Sequence, residues 1–99
     1  MVGKIIDKRE VAKGTLQVTF KIDEPFSFIA GQYCFITLPN LLYPDDRGGK
    51  RHFSIVNSPN QKGIITIATR IRDSGFKKTL NELPLGNEAN LGPIAGAFT

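Results

Sequence analysis

The sequence predicts an all-β domain carrying one short helix, and three observations lead there. Apolar and polar residues alternate with period two in several short stretches. Clusters of Gly, Pro, Asn and Asp separate those stretches. A single segment, Ser74 to Leu83, changes to helical spacing. About six strands joined by polar turns make a small antiparallel barrel or sandwich.

The elements follow in chain order. Gly3–Lys8 is a strand candidate with a weak pattern. Lys13-Gly14 is a tight turn. Thr15–Ile22 places Leu16, Val18, Phe20 and Ile22 on one face, as a half-buried antiparallel strand does. Asp23-Glu24-Pro25 opens a loop. Tyr33–Leu38 is apolar on both faces apart from Thr37, which fits a central strand. Residues 39–50 hold Asn40, Pro44, Asp45, Asp46, Gly48 and Gly49 and read as a long loop. Arg51–Ile55 is a further strand candidate, residues 58–63 a hairpin connection, and the β-branched Ile64–Thr69 a strand. Phe76, Leu80 and Leu83 fall at i, i+4 and i+7, one face of a short helix. Asp73 or Ser74 can cap its start, and Pro84 ends it. Asn90-Leu91-Gly92 is the weakest strand signal.

Ninety-nine residues make one domain, and 40% hydrophobic with 22% charged residues excludes a disordered tail. No apolar run reaches the roughly 20 residues of a spanning helix. The first residues lack the apolar stretch of a signal peptide. One cysteine, Cys34, and one histidine, His52, leave neither an internal disulfide nor a Cys/His metal framework. A cytoplasmic domain is the expectation. The net charge of +4 favours an anionic partner without choosing one.

Several motifs of site chemistry are missing: G-x-G-x-x-G, the P-loop and the G-x-S-x-G elbow. His52 and Ser54 share a strand face, but nothing near them marks an orienting acid. Asp45-Asp46 reads as a solvated turn and Cys34 as a packing residue. Two features stand out. A strand puts Arg51 and Phe53 on one side, where a guanidinium fork and an aromatic face could grip a phosphate and stack on a planar ring. The plainer alternative buries Phe53 and leaves Arg51 in solvent. The second feature is the helix start, whose unpaired N–H groups, Gly75, Lys77 and Lys78 suit an anion. A surface helix that tolerates two lysines explains the same residues.

Taken in order, these residues resemble the FAD-binding barrel domain of the ferredoxin–NADP reductase family. Phe28-Ile29-Ala30-Gly31-Gln32-Tyr33 is similar to the family's entry to the third strand. Arg51-His52-Phe53-Ser54 resembles its R-x-[YF]-[ST] flavin motif, and Asn57-Ser58-Pro59 the segment after it. Ile67–Arg70, Ser74–Leu80, Leu83-Pro84-Leu85-Gly86 and Gly92–Phe98 resemble the fifth strand, the phosphate-binding helix start and the close of the domain.

The resemblance implies a six-stranded antiparallel Greek-key β-barrel, with the helix between strands five and six. It implies FAD as cofactor, with FMN as the variant. Arg51 would pair with the diphosphate, Phe53 would stack on the flavin, and Ser54 would hydrogen-bond near flavin N5. Because a strand turns Ser54 away from Phe53, that last role needs a bend or a flavin edge straddling the strand. Thr69 and Arg70 would line the flavin. Gly75 and the N–H groups of Phe76, Lys77 and Lys78 would receive the diphosphate. Phe53 stands where many members have Tyr, and Lys77 falls near a family serine.

The implied function is an NAD(P)H-dependent flavin oxidoreductase module, with no metal. Its partners would be an NAD(P)-binding domain or subunit, absent from this chain, and an electron acceptor such as an iron–sulfur protein. No nucleic acid and no membrane span are implied, and hydride transfer by this chain alone is not expected. The rival readings are a small basic OB-like barrel for nucleic acid and a flavin-free structural barrel. An OB-like reader needs exposed aromatic platforms. Phe20, Phe35 and Phe53 in alternating strands suggest core or cofactor contacts instead.

Overall fold

Lys13 and Gly14 turn the chain so that Ala12 faces Thr15, and the strands on either side pair along their whole length. Gly14 has φ +76°, which a glycine adopts without strain. The computed structural model describes residues 1–71 and 74–96. Asp73, the alternative helix cap, and Ala97-Phe98 of the closing motif lie outside them.

The elements are β1 (Val2–Ala12), β2 (Thr15–Ile22), β3 (Tyr33–Thr37), β4 (Lys50–Ser54), β5 (Ile64–Arg70), α1 (Gly75–Glu82) and β6 (Glu88–Ala95). They form one six-stranded sheet in the order β4-β3-β6-β1-β2-β5, with every pairing antiparallel. The last strand slots between β1 and β3, which gives the Greek-key path. The outer strands of the sheet meet through one isolated bridge, Ile55 to Ile67, and the Val56 N–H donates to Thr66 O at 2.8 Å. The sheet therefore curls into a barrel-like shape without a continuous ladder closing it. The expected all-β architecture with one helix between strands five and six is present.

Two strands run longer than their local pattern suggests. β1 continues past Lys8 to Ala12 because β2 supplies partners there, such as Gln17 for Arg9, while two register shifts interrupt its alternation. β6 covers Glu88–Ala95 because β1 pairs with its first half and β3 with its second.

The core follows the period-two faces. Val18, Phe20, Ile5, Ile36, Ile65 and Ile67 are fully buried. Burial of one such side chain contributes about 1.5–3 kcal/mol. Phe35 departs from the expected core role. It is half-buried on the outer face of β3, packed against Tyr33 and His52, with the Lys50 ammonium 5.1 Å from its ring. It alternates with the buried Cys34 and Ile36 and so must point the other way.

The helix is specified locally at both ends. Ser74 Oγ accepts the Lys77 N–H at 3.2 Å, and Leu83, before Pro84, closes the last turn by donating to Thr79 O. Phe76 and Leu80 are fully buried in the common core. Lys8 of β1 donates to the carbonyls of Leu80, Asn81 and Leu83. Those carbonyls would otherwise lack helical partners, and a cation suits a helix C-terminus. Burial pulls the Lys8 ammonium below its ordinary pKa, a cost that these contacts oppose. Lys8→Met keeps the apolar stem and removes the donor. Urea unfolding of that variant is expected to show a loss of about 1 kcal/mol. An unchanged midpoint would mean that water serves the carbonyls equally well.

Candidate functional site

Strand alternation places Arg51 and Phe53 on the inner side of β4, and His52 and Ser54 on the outer side. An inward arginine must be paired, because an isolated buried charge is costly. The long loop over residues 39–49, together with the Lys50 carbonyl at the start of β4, supplies the partners. One guanidinium nitrogen of Arg51 donates to Asp45 Oδ1 at 2.5 Å. The other donates to the carbonyls of Arg47, Gly48 and Lys50 at 3.2, 3.1 and 2.9 Å. The guanidinium carbon lies 5.5 Å from the centre of the Phe76 ring, and Phe76 stacks on Phe53 at 5.8 Å. The side chains of Arg51 and Asp45 are only 9% and 5% exposed.

Asp45 joins three elements. Its Oδ2 accepts the Phe76 N–H at 2.8 Å, in the first turn of α1, and its Oδ1 also accepts the Arg47 N–H at 2.9 Å. The Phe76 and Arg47 N–H groups, and then the Arg51 guanidinium, hold its carboxyl below the usual carboxylate range. The loop is also pinned along the helix. The Leu42 N–H donates to Thr79 Oγ1 at 2.9 Å, and the Tyr43 hydroxyl donates to the Glu82 carboxylate at 2.6 Å.

A cleft of about 410 Å³ opens beside this cluster. Four residues expected at the site line it: Arg51, Phe53, Thr69 and Lys77. Asp45, Arg47, His52 and Ser74 line it as well. Sequence reasoning assigned none of these four to a ligand. The signal for Asp45 and Arg47 was the long loop itself, since loops of that length are usually functional or disordered.

Several expectations change. Arg51 is neither in solvent nor open on all sides; it is covered by the loop. Asp45 is not a solvated turn residue; it is a buried ion-pair partner. Gly75 does not leave open space for a ligand. A Cβ there would lie 2.1 Å from Pro44 O and 2.5 Å from Tyr43 O, so its missing side chain admits the loop backbone. The three N–H groups expected for a diphosphate are engaged within the chain: Phe76 with Asp45, Lys77 with Ser74 Oγ and Lys78 with Ser74 O. The Phe76 ring is in the core. The Lys78 side chain is outside the cleft, its ammonium 5.5 Å from the Tyr43 ring. Arg70 is exposed at the end of β5 and does not line the cleft.

The bend that would bring Ser54 to the side of Phe53 is not present. β4 pairs with β3 in unbroken register through Ser54, opposite Tyr33. The His52 ring packs on Tyr33 and Phe35 at 5.1 and 5.6 Å. That gives no hydrolytic arrangement with Ser54. Among the described residues no group of His, Cys, Asp and Glu could hold a metal ion.

Three cations, Arg47, Arg51 and Lys77, and the Phe53 ring share one cleft at a helix N-terminus. Such a set suits a ligand that is both anionic and aromatic, as a flavin dinucleotide is. Asp45 is the one group of the wrong sign. Fold and cleft define a barrel-like Greek-key domain with an anion-binding cleft at its seam. A family model described as the oxidoreductase FAD-binding domain matches residues 2–99, and the chain belongs to that family. Its cofactor is FAD.

Among curated relatives, the phenol hydroxylase P5 protein of Acinetobacter pittii (strain PHEA-2) is 28% identical over 96 residues. That match covers 95% of this chain and 26% of the relative. The phenol 2-monooxygenase reductase component DmpP of Pseudomonas sp. (strain CF600) is 27% identical over 100 residues, covering 99% and 26%. The chain thus spans about a quarter of the length of these relatives. Among solved structures, phthalate dioxygenase reductase superposes with a TM-score of 0.78 at 16% identity, covering all of this chain and 30% of that one. The Amycolatopsis cytochrome P450 reductase GcoB gives 0.78 at 20% identity, covering 98% and 28%. At those identities the superpositions speak for the fold alone.

Two stability experiments follow from the cluster. The Asp45 pKa is depressed on folding, so its contribution is complete above its unfolded value near 3.8 and is lost as pH falls toward the folded value. The thermal unfolding midpoint should therefore fall steeply below about pH 4, and less steeply in Asp45→Asn. Parallel curves for the two proteins would remove Asp45 as the cause. Gly75→Ala would ordinarily favour a helix, by up to about 1 kcal/mol. Here the contact with the Pro44 and Tyr43 carbonyls reverses the sign, and a net loss of about 1–3 kcal/mol is expected in chemical denaturation. A stabilised variant would contradict the close packing of loop on helix.

Proposed function

We propose that this chain is the flavin-holding part of an NAD(P)H-dependent electron-transfer reductase, and that the cleft beside Arg51 holds FAD. The supporting observation is that Arg51, Phe53, Thr69 and Lys77 line a single cleft at the start of α1. FAD held there would supply the redox chemistry between a two-electron nicotinamide donor and a one-electron acceptor. The chain's own residues bind and orient. Arg51 offers a planar cationic fork to the diphosphate. Lys77 adds positive charge at the cleft beside the first turn of α1. Phe53 gives an apolar wall, with Thr69 beside it on β5. Ser54 and Arg70, exposed at the ends of β4 and β5 and outside the cleft lining, would reach FAD only where the flavin edge straddles β4 and extends past the cleft.

The partners proposed are an NAD(P)-binding domain or subunit and a one-electron acceptor. The names of the relatives support an acceptor of the iron–sulfur or haem kind. Phthalate dioxygenase reductase is described as modular, carrying electrons from pyridine nucleotides to [2Fe-2S], and GcoB is a cytochrome P450 reductase. Among the described residues no helix is long and apolar enough to cross a membrane.

The test is a titration of the chain with FAD, FMN and riboflavin, followed by flavin fluorescence and visible absorption. Saturable FAD binding is expected. Arg51→Ala should weaken it about tenfold or more, some 1.4 kcal/mol, and leave riboflavin unchanged. Arg51→Lys should fall between, since it keeps the charge without the fork. NADH oxidation by the chain plus FAD should run no faster than with free FAD. No binding of any flavin by a folded chain would overturn the reading.

A further inference from the structure

We propose that Asp45 occupies the anion position of this cleft in the FAD-free chain, and that a phosphate of the FAD diphosphate replaces it on binding. The inference rests on the flavin reading above and deepens it. The carboxylate sits between a guanidinium nitrogen of Arg51, at 2.5 Å, and the Phe76 N–H in the first turn of α1, at 2.8 Å. A cationic fork and a helix N-terminal N–H are the donors that a phosphate oxygen takes. An internal carboxylate therefore already fills the place of a ligand phosphate.

The two anions cannot share that place. The Asp45 side chain is 5% exposed, and its two oxygens are both engaged. A second anion on the same donors would meet like charge a few ångströms away, where a shielded pair repels strongly. One must leave. The loop is built for a local exchange of this kind. Its first part is anchored to α1 through Leu42 and Tyr43, and by Pro44 O lying against Gly75. Its last part is tied back where the Leu38 N–H donates to Gly49 O at 2.8 Å. Between these anchors lie Asp45 to Gly48. Gly48 has φ +78° and open space where a Cβ would stand, a position that can serve as a hinge. Side-chain hydrogen bonds between this short segment and β4 or α1 run through Asp45 and Arg51.

The consequence is a set point for affinity. FAD binds at the expense of the Asp45 contacts, as a ligand does whose competent state is only part of the population. The opposite role is that Asp45 props Arg51 in the binding orientation, in which case losing it lowers affinity. The two differ in sign.

The experiment compares the full chain with its Asp45→Asn variant, using FAD, inorganic pyrophosphate and riboflavin as probes. Fluorescence titration reads the flavins, and backbone amide NMR reads pyrophosphate. The variant is expected to bind FAD and pyrophosphate about tenfold more tightly, with riboflavin unchanged. Equal or weaker FAD binding by the variant would overturn the proposal in favour of the prop. If neither protein binds FAD, yet the variant binds pyrophosphate more tightly and the Phe76 amide signal moves, the exchange stands and the flavin reading fails. If pyrophosphate leaves the Phe76 amide unmoved in both proteins, the exchange is wrong whatever FAD does. Should the variant not fold, the wild-type chain still decides. Bound FAD must then move the amide signals of Arg47 and Phe76, the two that Asp45 accepts from, and unmoved signals refute the exchange.

Discussion

The ion pair between Arg51 and Asp45 is the interaction on which the rest of the site depends. Arg51 lies on the core side of β4, a position where a charge without partners would cost several kcal/mol. Its neighbours on that side include the Phe53 and Phe76 rings. The loop over residues 39–49 supplies three acceptors, Asp45 Oδ1 and the carbonyls of Arg47 and Gly48, and the Lys50 carbonyl at the start of β4 is the fourth that converges on the guanidinium. The same carboxylate then reaches the first turn of α1. Loop, strand and helix are thereby held in one relation, and the cleft is the space they leave between them. Replacing one partner alone leaves the other buried without compensation, so the pair acts as a unit.

The fold explains why the site forms where it does. β6 enters between β1 and β3, leaving β4 and β5 as the two outer strands of the sheet. Curling brings these edges together, but they join at one bridge rather than along a ladder. The seam is therefore open enough to admit a ligand. Near it stand the inward residues of β4, the end of β5 and the start of α1. At the other end of the helix, Lys8 of β1 holds the last carbonyls. Among the described residues the one short helix is thus held at its start by Asp45 and at its end by Lys8.

Much of this was legible in the sequence. Strands β2, β3 and β5 carry their signal locally, through alternation or β-branched runs, and end close to where the pattern ends. The helix was legible for the same reason, with Ser74 before it and Pro84 after it. Arg51, Phe53, Thr69 and Lys77 were named from residue type, strand alternation and family likeness, and they do meet in one cleft. The extensions of β1 and β6 were not legible, because a strand's length is set by the partners beside it, and those lie far away in sequence.

The sequence by itself therefore determined the class of fold, the inner face of β2, the sharing of one side of β4 by Arg51 and Phe53, the helix and its ends, and the membership of the FAD-binding family. The tertiary structure alone decided what Asp45 does. An aspartate in a Gly- and Pro-rich loop looks solvated, since turn chemistry accounts for it fully. Its partners, Arg51 at six residues' distance and Phe76 at thirty-one, come within reach only when the loop packs across the helix. Gly75 changed meaning in the same way. Its sequence context pointed to space for a ligand, whereas packing gave that space to Tyr43 and Pro44. Local periodicity encodes which way a side chain points; only the closure of long-range contacts fixes what it meets there.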